Sequence, residues 1–359
     1  MRRAYLVITL ILLLFGCTDQ DRIIRYDDSA RFRVPTEDGW YVSLIHLPPK
    51  ARGKDAPPVL LCHGLSSTTT TWDLGNGHGL APFLQAQGYD IWMLNLRGRK
   101  DSARPGVGPE NHHYDWTFDD YARYDVPAAI EFVLQQTNAP SLTWIGHSMG
   151  GMVAYAHLGL HPDAPIAKLV TIGSPVTFSP PNEVFSRAVN LLRLAVKEDE
   201  GIPAEFLSIY FADATGIVRT NAGRWVCNPD YFCEDTYLQY VSNSLVNLSG
   251  SLIRQFFQFY GTDIMRSRDG KTDYRANLRN IRTPLLALAG KQDHIAPVYH
   301  VYPAYEEVSS KDKTFFVLGQ VNGTSYDPGH GGIVLGDGAK QEIYPVIARW
   351  MAQREPISE

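Results

Sequence analysis

The chain has 359 residues, 44% of them hydrophobic, and a formal net charge of −5. That length supports a sizeable core, as one large domain or one domain carrying an insertion. Mild acidity with no basic block excludes nucleic acid as a natural partner, and no Cys/His cluster has the spacing of metal ligands.

At the start, Arg2 and Arg3 precede an apolar run, Ala4 to Phe15. It is short for a membrane span and suits the hydrophobic part of a signal peptide, residues 1–17, followed by a polar tether, 18–30. Arg31–Val34 and Trp40–Leu47 alternate around Thr36-Glu37-Asp38-Gly39, which predicts an antiparallel hairpin at a sheet edge. Pro57–Cys62 is a short apolar strand running into His63-Gly64-Leu65. Leu80–Gln87 reads as a helix stopped by Gly88, and Tyr89–Leu96 as the next buried strand. Arg97–Asp115 is loop-like. Thr117 caps a predicted helix to Gln136, kinked at Pro127. Strands follow at 141–146, Lys168–Gly173, Thr283–Gly290 and Thr314–Leu318, and Lys340–Met351 is the closing helix.

Strands alternating with helices predict a mostly parallel sheet with helices on both faces. The alternation breaks between 176 and 275. There Phe185, Val189, Leu192 and Val196 share one helical face, as do Leu245, Leu248, Leu252, Phe256 and Phe259. The expected division is therefore a core of 31–175 and 276–359 with a helical cap, 176–275. Those stripes must pack on something, and a cap over a site also accounts for their place.

The most informative stretch is Leu142 to Gly151, an apolar strand ending in Gly146-His147-Ser148-Met149-Gly150 and followed by a helix-forming segment. This is the layout of a nucleophile elbow, in which a sharp turn presents Ser148 at a helix N-terminus. A serine needs a base to take its proton. His157 and His161 lie on or at the end of the helix behind Ser148, turned away from it. His330, in the loop after the last strand, is the expected base. The acid that orients it is expected after the preceding strand, at Asp293, with Asp327 as the alternative. Two backbone amides must hold an oxyanion: Met149, after the nucleophile, and Leu65, after the His63-Gly64 strand end. His63 reads as a satisfied structural histidine. No cofactor is required.

These pieces together resemble the α/β-hydrolase superfamily and, within it, the acid lipases of the gastric and lysosomal type. The similar stretches are Asp38 to Leu47, His63-Gly64-Leu65, Gly88 to Gly98, Phe118 to Ala128, Gly146 to Gly150, and Gly290 to Asp293. The resemblance covers about 30–175 well and only motifs beyond. It implies an α/β-hydrolase fold, Ser148, Asp293 and His330 as a triad, and the Leu65 and Met149 amides as oxyanion donors. Met149 stands where those lipases have Gln, and the Gly-His-Gly-Gly around His330 differs from theirs. The core also resembles the polyhydroxyalkanoate synthases, which use Cys where this chain has Ser148.

Leu14-Phe15-Gly16-Cys17 resembles the lipobox of bacterial lipoproteins. That implies Cys17 as a lipidated first residue of the mature chain, secreted across the bacterial inner membrane and anchored at the outer membrane or periplasm, with Thr18 after Cys17 favouring the outer membrane; an ordinary secretory signal and an uncleaved anchor are the alternatives. Cys227 and Cys233 flank a turn-rich loop that a disulfide could close, in keeping with an oxidising compartment, and Cys62 reads as a buried thiol. The expected function is hydrolysis of carboxylic esters, hydrophobic acyl or lipid esters foremost, through an acyl-enzyme. Acyl transfer and amide or peptide hydrolysis use the same residues, and a non-catalytic binding module would show loss of a triad member. The acyl chain, the alcohol and the oligomeric state are open.

Overall fold

Apolar residues in neighbouring strands point alternately to two cores, one on each face of an eight-stranded sheet. The structure is a computed structural model that describes residue 24 and residues 26–50, 56–75, 77–99, 101–103, 113–180, 196–202, 236, 239–240, 243–244 and 246–353. Cys17, Cys227 and Cys233 lie outside the described residues, with the signal segment and most of the tether. Among the described residues, no helix is long and apolar enough to cross a membrane.

Strand β1 (Arg31–Pro35) pairs antiparallel with β2 (Tyr41–Leu47) at the sheet edge. Then come β3 (Val59–Cys62), helix α1 (Leu80–Ala86), β4 (Ile91–Asn95), α2 (Val126–Thr137), β5 (Leu142–His147), α3 (Met149–Leu160) and β6 (Ile166–Ile172). A small antiparallel ribbon, β7 (Gly201–Ile202) with β8 (Leu248–Ser249), leads into α4 (Gly250–Thr262). β9 (Leu285–Gly290), α5 (Val298–Glu307), β10 (Lys313–Leu318), α6 (Gly332–Leu335) and α7 (Tyr344–Ala352) complete the fold.

The strand order is β1-β2-β4-β3-β5-β6-β9-β10, parallel from β4 through β10. Leu60, Cys62, Trp92, Leu94 and Trp144 join the core under α2 and α3, while Val59, Leu61, Ile91, Met93 and Ile145 join the core under α1 and α7. Burial on both faces is why these strands read as unbroken apolar runs. From β3 the chain passes outward to β4 and then returns to β5 on the other side of β3. The carboxyl ends of β3 and β5, in register at Cys62 and Gly146, therefore meet where the winding reverses, the place such sheets bind ligands.

The loop after β4 is tied into this frame by a buried guanidinium. Arg97 Nε donates to Asp125 Oδ1 at 2.7 Å, and its Nη1 and Nη2 donate to the two Asp38 oxygens at 2.5 and 2.9 Å. Burial pushes the Asp125 carboxyl up, against the pull of Arg97. The Asp38 and Asp125 segments of the sequence resemblance are thus joined through one side chain.

Several elements differ from expectation. The helix expected from Thr117 to Gln136 forms and runs continuously from Phe118 to Thr137, opened by a capping box of Thr117 and Asp120; it does widen to a π-type turn at Tyr121–Asp125, directly before α2 and Pro127. The sequence reading contains no α5, whose Pro303 and aromatic content hide the helical pattern. The closing helix starts as a widened turn at Ala339–Ile343 before α7. Leu248 lies in ribbon β8 and not on the helix, which starts at Gly250 because Ser249 Oγ caps it, accepting from Leu252 N–H at 3.2 Å. Leu245, Phe185, Val189 and Leu192 lie outside the described residues. Leu252 and Phe259 on α4 are fully buried against Phe118 and Tyr274. A buried amide docks the same helix: Gln255 Oε1 accepts from Phe118 N–H at 2.8 Å, and its Nε2 donates to Asp119 Oδ1 at 2.7 Å.

Candidate active site

Ser148 sits between β5 and α3 with φ +53° and ψ −122°, outside the ordinary regions for a side-chain-bearing residue. Such strain persists only where the surroundings over-determine it. Here they do. Ser148 N–H donates to Ile172 O at 2.8 Å, and its carbonyl accepts from Gly151 and Met152 N–H at 3.0 and 3.2 Å. A Cβ on Gly146 would meet Gly150 and Gly151 backbone at 2.4 Å, and one on Gly150 would meet Cys62 O at 2.1 Å. The two glycines of the motif are therefore required by close passage of α3 over β3 and β5. Ser148 itself is only partly buried, so its hydroxyl stays reachable.

The parallel register brings the loops after β9 and β10 to the same end of the sheet. His330 Nδ1 lies 2.7 Å from Asp293 Oδ2, and both side chains are buried. The other carboxylate oxygen, Asp293 Oδ1, accepts from Ile295 and Ala296 N–H at 2.9 and 2.8 Å. With a donor on each carboxylate oxygen, Asp293 is fixed in direction. It accepts the Nδ1 proton, which leaves Nε2 of His330 with a free lone pair. Asp327 is three residues from His330 but faces elsewhere, its Oδ1 accepting from Gln320 N–H at 2.8 Å.

Contacts link this pair to the elbow. Gly173 follows β6 with φ +56°, and a Cβ there would lie 3.1 Å from Asp293 Oδ2 and 3.3 Å from His330 Nδ1. It succeeds Ile172, whose carbonyl holds Ser148 N–H. On the other side, His147 packs its ring 4.7 Å from the His330 ring, and its Nε2 donates to His330 O at 3.0 Å. Burial, and then the neighbouring His330, hold His147 well below the ordinary histidine range, so it stays neutral.

The loop after β3 comes up against the nucleophile. A Cβ on Gly64 would be 3.2 Å from Ser148 Cβ, so Leu65 follows directly beside the turn. Met149 is the first residue of α3, with its N–H among those a helix start leaves unpaired inside the helix. His63 is fully buried; its Nδ1 donates to Gly64 O at 2.8 Å and its Nε2 accepts from Leu96 N–H at 3.3 Å. Cys62 is a buried free thiol, pushed up by burial. His157 lies away from the site, donating from Nδ1 to Ala122 O at 3.0 Å. Among the described residues, no group of three His, Cys, Asp or Glu side chains could hold a metal ion.

The fold thus gathers Ser148, His330, Asp293, Leu65 and Met149 at one end of the sheet. Sequence reasoning missed Gly173 and His147. Gly173 ends a strand immediately before Ser174-Pro175, and an unexplained glycine at a strand's carboxyl end was the available signal. His147 had none, because its partner is a backbone carbonyl far away in sequence.

Comparison with known proteins adds a second line of information. Residues 57–207 match a family model described as the alpha/beta hydrolase fold. Human "Lipase member N" is 31% identical over 189 residues, 50% of this chain and 47% of that protein. Mouse "Gastric triacylglycerol lipase" is 31% identical over 142 residues, 37% of this chain and 36% of that protein. The chain spans about half or less of the length of these curated relatives. Among solved structures, an esterase from Exiguobacterium antarcticum superposes with a TM-score of 0.60 at 16% identity, covering 89% of this chain and 99% of that one. A Paleococcus ferrophilus monoacylglycerol lipase gives 0.55 at 17% identity, covering 87% and 98%. At such identities these structures speak to the fold.

Proposed function

We propose that this chain, which has the α/β-hydrolase fold, is a serine hydrolase that cleaves carboxylic esters through an acyl-enzyme. One observation carries the reading: a buried His330–Asp293 pair at 2.7 Å beside a serine held at φ +53° on a strand-to-helix turn. His330 Nε2 takes the Ser148 proton as Oγ attacks the ester carbonyl. Asp293 holds the Nδ1–H tautomer and stabilises the imidazolium. The tetrahedral oxyanion rests on the Leu65 and Met149 amides, favoured by the α3 dipole. His330 then returns the proton to the leaving alcohol. Water, deprotonated by the same imidazole, releases the acid and restores Ser148.

The matched relatives named as lipases support a hydrophobic acyl chain as the preferred substrate. The lipobox-like stretch ending at Cys17 supports action from a lipid anchor at a membrane surface. The test is hydrolysis of p-nitrophenyl esters from acetate to palmitate by wild type and Ser148→Ala. Activity that rises with chain length and falls at least about 10³-fold in the variant is expected. Equal inactivity of both proteins on every ester would overturn the proposal, and a short-chain optimum would overturn its substrate class.

A further inference from the structure

Arg99 is fully buried, its guanidinium 6.0 Å from the Tyr121 ring centroid, yet its Nε and Nη1 find no hydrogen-bond partner among the described residues. The buried carboxylate Asp125 is occupied by Arg97 through both its oxygens, at 2.9 Å from Arg97 N and 2.7 Å from Arg97 Nε. Gly98, at φ +77°, turns the chain between the two arginines, and a Cβ there would strike the Trp116 ring at 2.3 Å. Arg97 is thereby directed to the carboxylates and Arg99 to the loop after β3. What Arg99 does reach is a carbonyl: its Nη2 donates to Leu65 O. We propose that Arg99 and His63 are the positioning residues of the oxyanion loop, holding the carbonyl of the Leu65 amide's own peptide and the carbonyl of the next one so that the Leu65 N–H stays aimed beside Ser148. This rests on the ester-hydrolase reading above.

Both carbonyls around that amide are held. Gly64 O belongs to the same peptide as the Leu65 N–H, and it accepts from His63 Nδ1 at 2.8 Å. A hydrogen bond to a peptide carbonyl polarises the unit and makes its N–H a better donor. Leu65 O, one peptide further on, is held by the guanidinium. Two fixed carbonyls leave the intervening N–H little freedom to rotate. The His63 tautomer is set, since its Nε2 must accept from Leu96 N–H. Burial and then the Arg99 charge push His63 down to about 3, so the clamp does not titrate where the enzyme would work.

The cost of Arg99 argues against a merely structural role. Burying a cation with unpaired donors opposes folding, and a neutral donor would hold one carbonyl without that cost. A cation offers something an amide cannot: a fixed positive charge behind the loop where an oxyanion develops, in a place shielded from water.

The experiment compares the full chain with Arg99→Ala, Arg99→Lys and Ser148→Ala on one p-nitrophenyl ester, together with the affinity of an alkylboronic acid that mimics the tetrahedral adduct on serine. In Arg99→Ala, kcat should fall about 10²- to 10³-fold, KM should stay within about threefold, and boronate affinity should weaken in step with kcat. Arg99→Lys, which keeps the charge but not the fork, should lose about tenfold by both measures. Millimolar guanidinium chloride should raise the rate of Arg99→Ala and leave wild type unchanged. If Arg99→Ala does not fold, Arg99→Lys decides on the same ratio. Wild-type kcat in the variants, or a fall in kcat with boronate affinity unchanged, overturns the clamp while leaving the hydrolase reading standing. A wild type no more active than Ser148→Ala overturns both.

Discussion

Asp293→Asn isolates what the buried carboxylate contributes, because the structure dictates how the new amide must sit. Oδ1 of Asp293 receives two backbone N–H groups, from Ile295 and Ala296, at 2.9 and 2.8 Å. The amide oxygen of the variant must occupy that position. Reversing the amide would leave two buried N–H groups facing a third donor, at about 1–3 kcal/mol each. The NH2 group therefore replaces Oδ2, where His330 Nδ1 lies 2.7 Å away. Nδ1 must now accept, so the proton moves to Nε2, the atom that should take the Ser148 proton. The two tautomers of a neutral imidazole differ by far less than the cost of reversing the amide, so the imidazole yields. The expected loss in kcat is about 10⁴-fold, or roughly 5 kcal/mol of barrier, with KM and stability nearly unchanged. Steady-state hydrolysis of a p-nitrophenyl ester measures the loss, and ¹⁵N NMR of the His330 ring reads the tautomer directly. A folded variant within tenfold of wild-type kcat, or a larger loss in Asp327→Asn, would refute the reasoning.

Two further expectations follow from the same geometry. Gly173→Ala puts a Cβ 3.1 Å from Asp293 Oδ2 at a φ of +56°. The left-handed backbone should cost about 1–2 kcal/mol in chemical unfolding, and displacement of the pair should lower kcat about 10- to 100-fold; a variant unchanged in both would show that the site tolerates a side chain there. The second concerns acid stability. Burial lowers His157 from 6.5 to about 4, with His161 adding to it against the Ala122 hydrogen bond. The unfolded chain takes up the proton near 6.5 and the native chain only near 4, so stability is full above 6.5 and falls through that window. The loss by pH 4 is on the order of 3 kcal/mol. His157→Asn keeps a donor for Ala122 O and should flatten the dependence; urea unfolding at pH 7 and pH 4 giving equal losses for both proteins would disprove it.

Local chemistry made much of this molecule legible in its sequence. The elbow is written in contiguous residues because a strand, a strained turn and a helix each depend on neighbours within a few positions. Asp293 and His330 stand out for a related reason: each follows an apolar strand, and parallel strands deliver their following loops to one end of the sheet. Several features were decided only by tertiary structure. Which acid faces His330 depends on β9 lying beside β10, which brings Asp293 to the imidazole, while Asp327, although nearer in sequence, accepts from Gln320 N–H within its own loop. Gly173 matters only because β6 lies between β5 and β9. Arg99 gains meaning only from Leu65, 34 residues earlier, across the β3–β4 pair. In each case the deciding contact joins residues far apart in sequence, and hydrophobic periodicity records that a strand is buried without recording which strand lies beside it.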